Sequence, residues 1–282
     1  MNRKSAITCA LCCLLASGSV LAADADVPRQ LLQPPKRVVS SPITDRWAVR
    51  GTYQQPEMNT QLRYDGTPIL QGTELDAEDD LGWDDRLNQG NFEMIVRMLE
   101  RHRLRVDFFG INRGGSVVMN RQVRFGDDVY QVTDRVNTDS QIRFMGLTYT
   151  YSLLHADRYE LAAGLGVHLF QVDGHAAVPA RRLEDRFNVA DPLPTLALDG
   201  TYLMSDEWSI NARVQALKLN IQDIEGHFSV WHGDVQYRPW KGLAFGVGYT
   251  KTSLHIDSAD SSFSGRLFLD VKGPEAFVRV SL

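Results

Sequence analysis

The sequence predicts an all-β chain, closed as an antiparallel transmembrane β-barrel, and three observations predict it. From Tyr159 to His168, Leu161, Ala163, Leu165 and Val167 alternate with Glu160, Ala162, Gly164 and Gly166. One face is apolar and the other small or polar, which suits a strand with lipid outside and a wet lumen inside. Residues 1–22 read as a secretory leader: Arg3 and Lys4, an apolar run from Ala6 to Leu15, and Val20-Leu21-Ala22 as a cleavage site. No later run is long and apolar enough for a helical span, and overall hydropathy is slightly negative. A soluble periplasmic protein would share that last property. The alternation decides, because a barrel hides its membrane signal in every second residue.

All three cysteines (Cys9, Cys12 and Cys13) lie in the leader, so the exported chain is expected to hold no thiol, disulfide or Cys-metal site. The chain carries 30 basic and 35 acidic residues, and loss of Arg3 and Lys4 takes the formal charge from −5 to about −7. A mildly acidic exported chain gives no reason to expect nucleic acid as a partner.

Residues 23–44, with Pro28, Pro34 and Pro35, lack periodicity and read as a periplasmic tail. The barrel is placed at 45–282. Its first strand is Trp47, Val49, Gly51 and Tyr53 on one face, followed by Met58, Thr60, Leu62 and Tyr64. Further strands are expected at 90–98, 101–111, 140–153, 158–171, 193–203, 207–220, 227–238, 242–255 and 262–282. The last must be one long strand, with Lys272-Gly273-Pro274 as a bulge, or the C-terminus would end outside the cell. An extra pair at 58–65 and 68–77, turning at Asp65-Gly66, gives about twelve strands; a single loop over 55–89 gives ten. Turns near His102, Ala156, Asp206 and Lys241 are short and flanked by aromatics such as Tyr159, Tyr202, Trp208 and Trp240, which puts them at the periplasmic face. Residues 113–140 and 172–192 are long and polar and read as outer loops.

The chain resembles a family of Gram-negative outer-membrane β-barrel proteins of poorly defined function. The likeness is carried by Gly72-Thr73-Glu74-Leu75-Asp76, Glu78-Asp79-Asp80-Leu81-Gly82 with Asp84-Asp85, Arg101-His102-Arg103-Leu104, Pro192-Leu193-Pro194 and Tyr237-Arg238-Pro239. The final Phe277 to Leu282 is similar to the assembly signal of such barrels, with Leu282 where an aromatic is usual. The resemblance implies outer-membrane lipid and lipopolysaccharide as surroundings and the barrel-assembly machinery as a partner during insertion. It implies no activity and no cofactor.

The inward faces carry Glu93, Arg97, Arg103, Arg105, Asp107, Glu160, His168, Arg213 and Asp234, with Asn211, Gln215 and His232. Such charges either line an aqueous path that selects solutes by sign, or pair across a plugged lumen and hold it shut. The small barrel favours the plug. The acidic run Glu74, Asp76, Glu78, Asp79, Asp80, Asp84 and Asp85 lacks the spacing of a calcium loop and reads as a solvated outer loop. His227 and Ser229 share a strand face and resemble the His-x-Ser pair of outer-membrane lipid A deacylases, but Val230 stands where that family's Asn would follow. A structural or surface-interaction role therefore leads, ahead of a small-solute pore and a lipid-acting hydrolase. No complete catalytic set, metal site or cofactor cradle is present in the sequence pattern.

Overall fold

The computed structural model describes residues 41–66, 70–180, 183–221, 224–259 and 264–282. Among the described residues, fourteen strands and one short helix follow in chain order. They are β1 (Trp47–Gln54), β2 (Glu57–Tyr64), β3 (Leu75–Asp76), α1 (Ala77–Leu81), β4 (Gln89–Leu99), β5 (His102–Val118), β6 (Val123–Phe125) and β7 (Asp128–Tyr130). After these come β8 (Arg135–His155), β9 (Tyr159–Val178), β10 (Leu183–Leu203), β11 (Trp208–Ile221), β12 (Ile224–Trp240), β13 (Leu243–Ala259) and β14 (Ser264–Ser281).

Ten strands close the barrel in the order β1-β4-β5-β8-β9-β10-β11-β12-β13-β14, and antiparallel pairing of β14 with β1 seals it. Every pairing within this ring is antiparallel, which leaves only short turns between neighbours at one end. That short-turn end also carries both the start of β1 and the end of β14. Small register shifts at Arg97/Leu99, Ser152/Leu154 and Tyr237/Trp240 tighten three of the turns.

The barrel count is thus the ten-strand alternative, and the sheet reaches twelve only with β2 and β3. The expected hairpin at 58–65 and 68–77 does not form a membrane-crossing pair. Residues 57–64 instead extend the first strand along β14, with Gln54 opposite Glu275 and Glu57 opposite Lys272 in one continuous register. Pro56 divides β1 from β2 because it has no N–H for the ladder. Only two residues return against β2, Leu75 and Asp76. The expected bulge at Lys272-Gly273-Pro274 is absent: Lys272, Gly273 and Pro274 pair with Lys251, Thr250 and Tyr249 without a shift. Glycine is needed at 273 for another reason, since a Cβ there would lie 2.7 Å from Pro56 Cα.

Outward side chains form an apolar band. On β8, Met145, Leu147, Tyr149, Tyr151 and Leu153 are all exposed, and on β13 Phe245, Val247 and Tyr249 are. Beyond the band, on the same faces, stand Arg143, Lys218, Lys251 and Lys272. The band therefore spans about the nine to eleven residues that a tilted strand needs to cross a bilayer. Beyond it the wall continues as strand. The stretches 113–140 and 172–192, read from sequence as loops, are largely β5, β8, β9 and β10, and the connection between β5 and β8 holds the β6–β7 hairpin. Past the lipid neither face must be apolar, so the alternation fades while the pairing persists.

Candidate functional site

The interior divides into three layers. Nearest the short turns lies a charged layer. Arg50, Arg97, Arg105, Arg238 and Arg279 are buried there with Asp45, Glu93, Glu160, Asp199, Asp234 and Glu275, and Arg103, Asp107 and Arg213 join them. Each guanidinium meets a carboxylate. Arg97 holds Glu160 through two bonds of 2.8 and 2.9 Å, a fork-to-fork geometry that fixes both planes. Glu160 also accepts from Ser152 and lies 3.2 Å from Arg103. Arg105 and Arg103 converge on Asp199 at 3.0 and 3.3 Å, and Arg213 lies 2.8 Å from Glu93. Arg50 bridges Asp234, at 2.8 Å, and Glu275, while its guanidinium sits 3.6 Å from the centre of the Phe277 ring. Asn211 donates to Asp234 at 2.7 Å, and His232 lies 2.8 Å from the same carboxylate. Unpaired, such charges would be expelled from the interior; paired around a ring of strands, they lock opposite walls together.

The inward-facing residues read from the sequence (Glu93, Arg97, Arg103, Arg105, Asp107, Glu160, Arg213 and Asp234) lie in or beside this layer, and His168 stands at its upper edge. Its ring is stacked on Phe144, with centroids 4.9 Å apart, and Nε2 lies 3.1 Å from Thr195 Oγ1. Sequence reading missed Arg50, Asp199 and Glu275, although each falls on the inward parity of a strand it had placed. Asp45 had no such signal, because the expected first strand, 45–54, puts it on the outward parity of Trp47 and Val49. The end of the expected tail turns into the barrel mouth: Ser41 and Ile43 are buried, and Asp45 takes Arg238 at 2.6 Å and Arg279 at 3.2 Å.

Above the charges lies an apolar layer: Met58, Ile111, Ile142, Phe144, Phe170, Val172, Leu193, Phe228, Leu254, Leu269 and Val271. These come from β2, β5, β8, β9, β10, β12, β13 and β14, so the layer is fed from around the ring. Phe144 of β8 and Phe228 of β12 meet across the lumen with centroids 5.7 Å apart. Cavities of about 50 and 100 Å³ lie in the charged layer, and both are lined by Arg50, Glu93, Arg213 and His232. The larger one ends against Phe144 and Val230.

A third layer closes the far end, where Leu75, Ala77, Leu81 and Trp83 pack with Met119, Val123, Phe125, Tyr130, Val136 and Val178. The acidic run is here, and it is a solvated loop only in part: Glu74, Asp79, Asp84 and Asp85 are exposed, while Asp76, Glu78 and Asp80 are half-buried. Asp76 caps α1 by accepting from the Glu78 and Asp79 amides, Glu78 binds Arg113, and Asp80 binds Arg121. These three carboxylates serve as cap and anchors because the apolar residues between them are drawn into the barrel. No group of metal-ligating side chains occurs among the described residues. His227 and Ser229 lie on the outward face with Phe228 pointing in between them, and no hydrogen bond joins the two among the described residues.

No family model and no curated protein matches the chain. Among solved structures it is similar to the outer-membrane protease OmpT of Escherichia coli, with a TM-score of 0.52 at 10% identity, covering 86% of this chain and 98% of that one. The translocator domain of the autotransporter NalP from Neisseria meningitidis matches with a TM-score of 0.42 at 8% identity, over 84% and 88%. OprG from Pseudomonas aeruginosa gives 0.33 at 13%, over 84% and 95%. The chain has the fold of the Gram-negative outer-membrane β-barrels. With its outward apolar band, that fold makes it an integral outer-membrane protein. Likeness at this identity concerns the fold alone.

Proposed function

We propose that the protein is a plugged outer-membrane barrel with a structural or surface-interaction role, and neither a diffusion pore nor a lipid-acting enzyme. In this reading the short turns face the periplasm, the far end projects from the cell, and the band is surrounded by outer-membrane lipid and lipopolysaccharide. One observation carries it: Phe144 and Phe228 meet across the lumen above a layer in which the arginines are answered by carboxylates. An ion leaving the charged layer would have to cross packed apolar side chains, where an unpaired charge costs several kcal/mol, on the order of a buried group stripped of water. Cavities of about 50 and 100 Å³ hold water-sized occupants, not a solute path. Liposome swelling checks the reading. Vesicles containing the protein should swell in isotonic small sugars no faster than protein-free vesicles, and swelling that scales with protein content would refute the plug.

A further inference from the structure

In its far half the barrel wall is incomplete. β5 keeps its pairing with β8 as far as Val118, but on its other edge β4 accompanies it only to Phe109, opposite Asn91. Across the opening, β2 is paired with β14 from Glu57 to Tyr64. On its free edge β2 meets β3 at Gln61 and Leu62 and a lone bridge from Glu57 to Arg86. Among the described residues no strand joins β2 to β5. Two such edges leave backbone groups that need partners, and the segment 75–88 answers part of that need. The Glu78 carboxylate accepts from the Thr60 amide of β2 at 2.8 Å and from Arg113 of β5 at 2.5 Å, so one side chain spans the opening. The Met58 amide donates to Asp85 O at 2.8 Å. Contact with β5 is close enough that a Cβ on Gly115 would lie 2.3 Å from Leu81 O.

Behind this segment the lumen is apolar. Two adjoining cavities of about 40 Å³ each share Leu62, Trp83 and Phe125 in their walls, and one reaches Met119 and Tyr130. A cavity of roughly 150 Å³ is what holds one benzene in a protein interior. Even together the two fall short of that volume, so occupancy by a ring requires the wall segment to move. That segment meets β2 through only two paired residues, one bridge and the Met58–Asp85 bond, and is otherwise held by side chains: Glu78 on both edges, and Trp83, which donates to Thr138 at 2.7 Å and lies 4.8 Å from the Arg113 guanidinium.

We propose that residues 75–88 form a displaceable stopper in the barrel wall, and that the chamber behind it binds a small uncharged apolar molecule admitted sideways between β2 and β5. Binding and stopper displacement are then one equilibrium, and weakening the Glu78 clamp raises the fraction of open protein. The route ends above the Phe144 layer, so it requires no open bore and stands apart from the plugged-lumen reading. The test uses the exported protein in lipid nanodiscs, where a single introduced cysteine is the only thiol. Met119→Cys carries a trifluoromethyl label, and Leu165→Cys, on the lipid face, is the control for partitioning. Benzene is titrated and the ¹⁹F shift followed, with folding verified by heat-modifiable gel mobility. The expected result is a saturable shift at 119 and a linear drift at 165, with half-saturation about fivefold lower in the Glu78→Gln background. Should Met119→Cys fail to fold, Val136→Cys replaces it. A linear or absent response at the chamber position overturns the binding site, and a half-saturation unchanged by Glu78→Gln overturns the stopper.

Discussion

Replacing Glu160 by alanine tests whether the charged layer holds the barrel together. Glu160 accepts two bonds from Arg97, one from Ser152 and a 3.2 Å contact from Arg103. Arg103 has a second carboxylate within reach, Asp199 at 3.3 Å. Among the described residues Arg97 has besides only the Glu100 carbonyl, at 2.7 Å. The substitution thus strands one buried guanidinium, and breaking one side of a buried pair costs roughly 3–5 kcal/mol. The Arg97→Met, Glu160→Leu double variant removes both charges and fills their space, so it should cost well under the single change, by about 2 kcal/mol or more. The assay is urea unfolding of the micelle-folded barrel, followed by heat-modifiable mobility and tryptophan fluorescence. Glu160→Ala within about 0.5 kcal/mol of the parent, or a double variant as unstable as the single one, would refute the reasoning.

Asp45→Asn removes the negative charge shared by Arg238 and Arg279 and replaces one of its two accepting oxygens by a donor, so the 41–46 segment should leave the barrel mouth and trypsin should cut at Arg46 at least tenfold faster; an unchanged rate would mean that other contacts hold it. Orientation is read by cysteine labelling of intact cells with an impermeant maleimide, in which Ala180→Cys should react and Asp206→Cys should not. The reverse pattern would invert the barrel.

What the sequence made legible follows from where a constraint acts on every residue. Within the lipid, Met145 to Leu153 must alternate, and the strand there and its inward partners could be read directly. The inward parity that marked Glu93, Arg97 and Glu160 would equally have marked Arg50, Asp199 and Glu275, had their strands been read for charge. Outside the lipid the constraint lapses. Residues 135–139 and 172–178 pair in long ladders whose side chains carry no periodic signal, so they looked like loops. The acidic run misled only in part, and for a different reason. Its carboxylates suggested solvent, whereas Leu75, Leu81 and Trp83 between them are what the barrel mouth buries. Asp45 was hidden because its partners, Arg238 and Arg279, lie far along the chain and meet it only when the barrel closes. The same closure brings Phe228 against Phe144, a contact no local pattern announces.

Single-channel recording in a planar bilayer measures the closed lumen most directly. The inserted wild-type barrel should give a silent baseline at either polarity. Steady openings whose ion preference shifts on Arg103→Ala and Arg105→Ala would contradict it, because they would show ions passing the layer in which Phe144 and Phe228 meet.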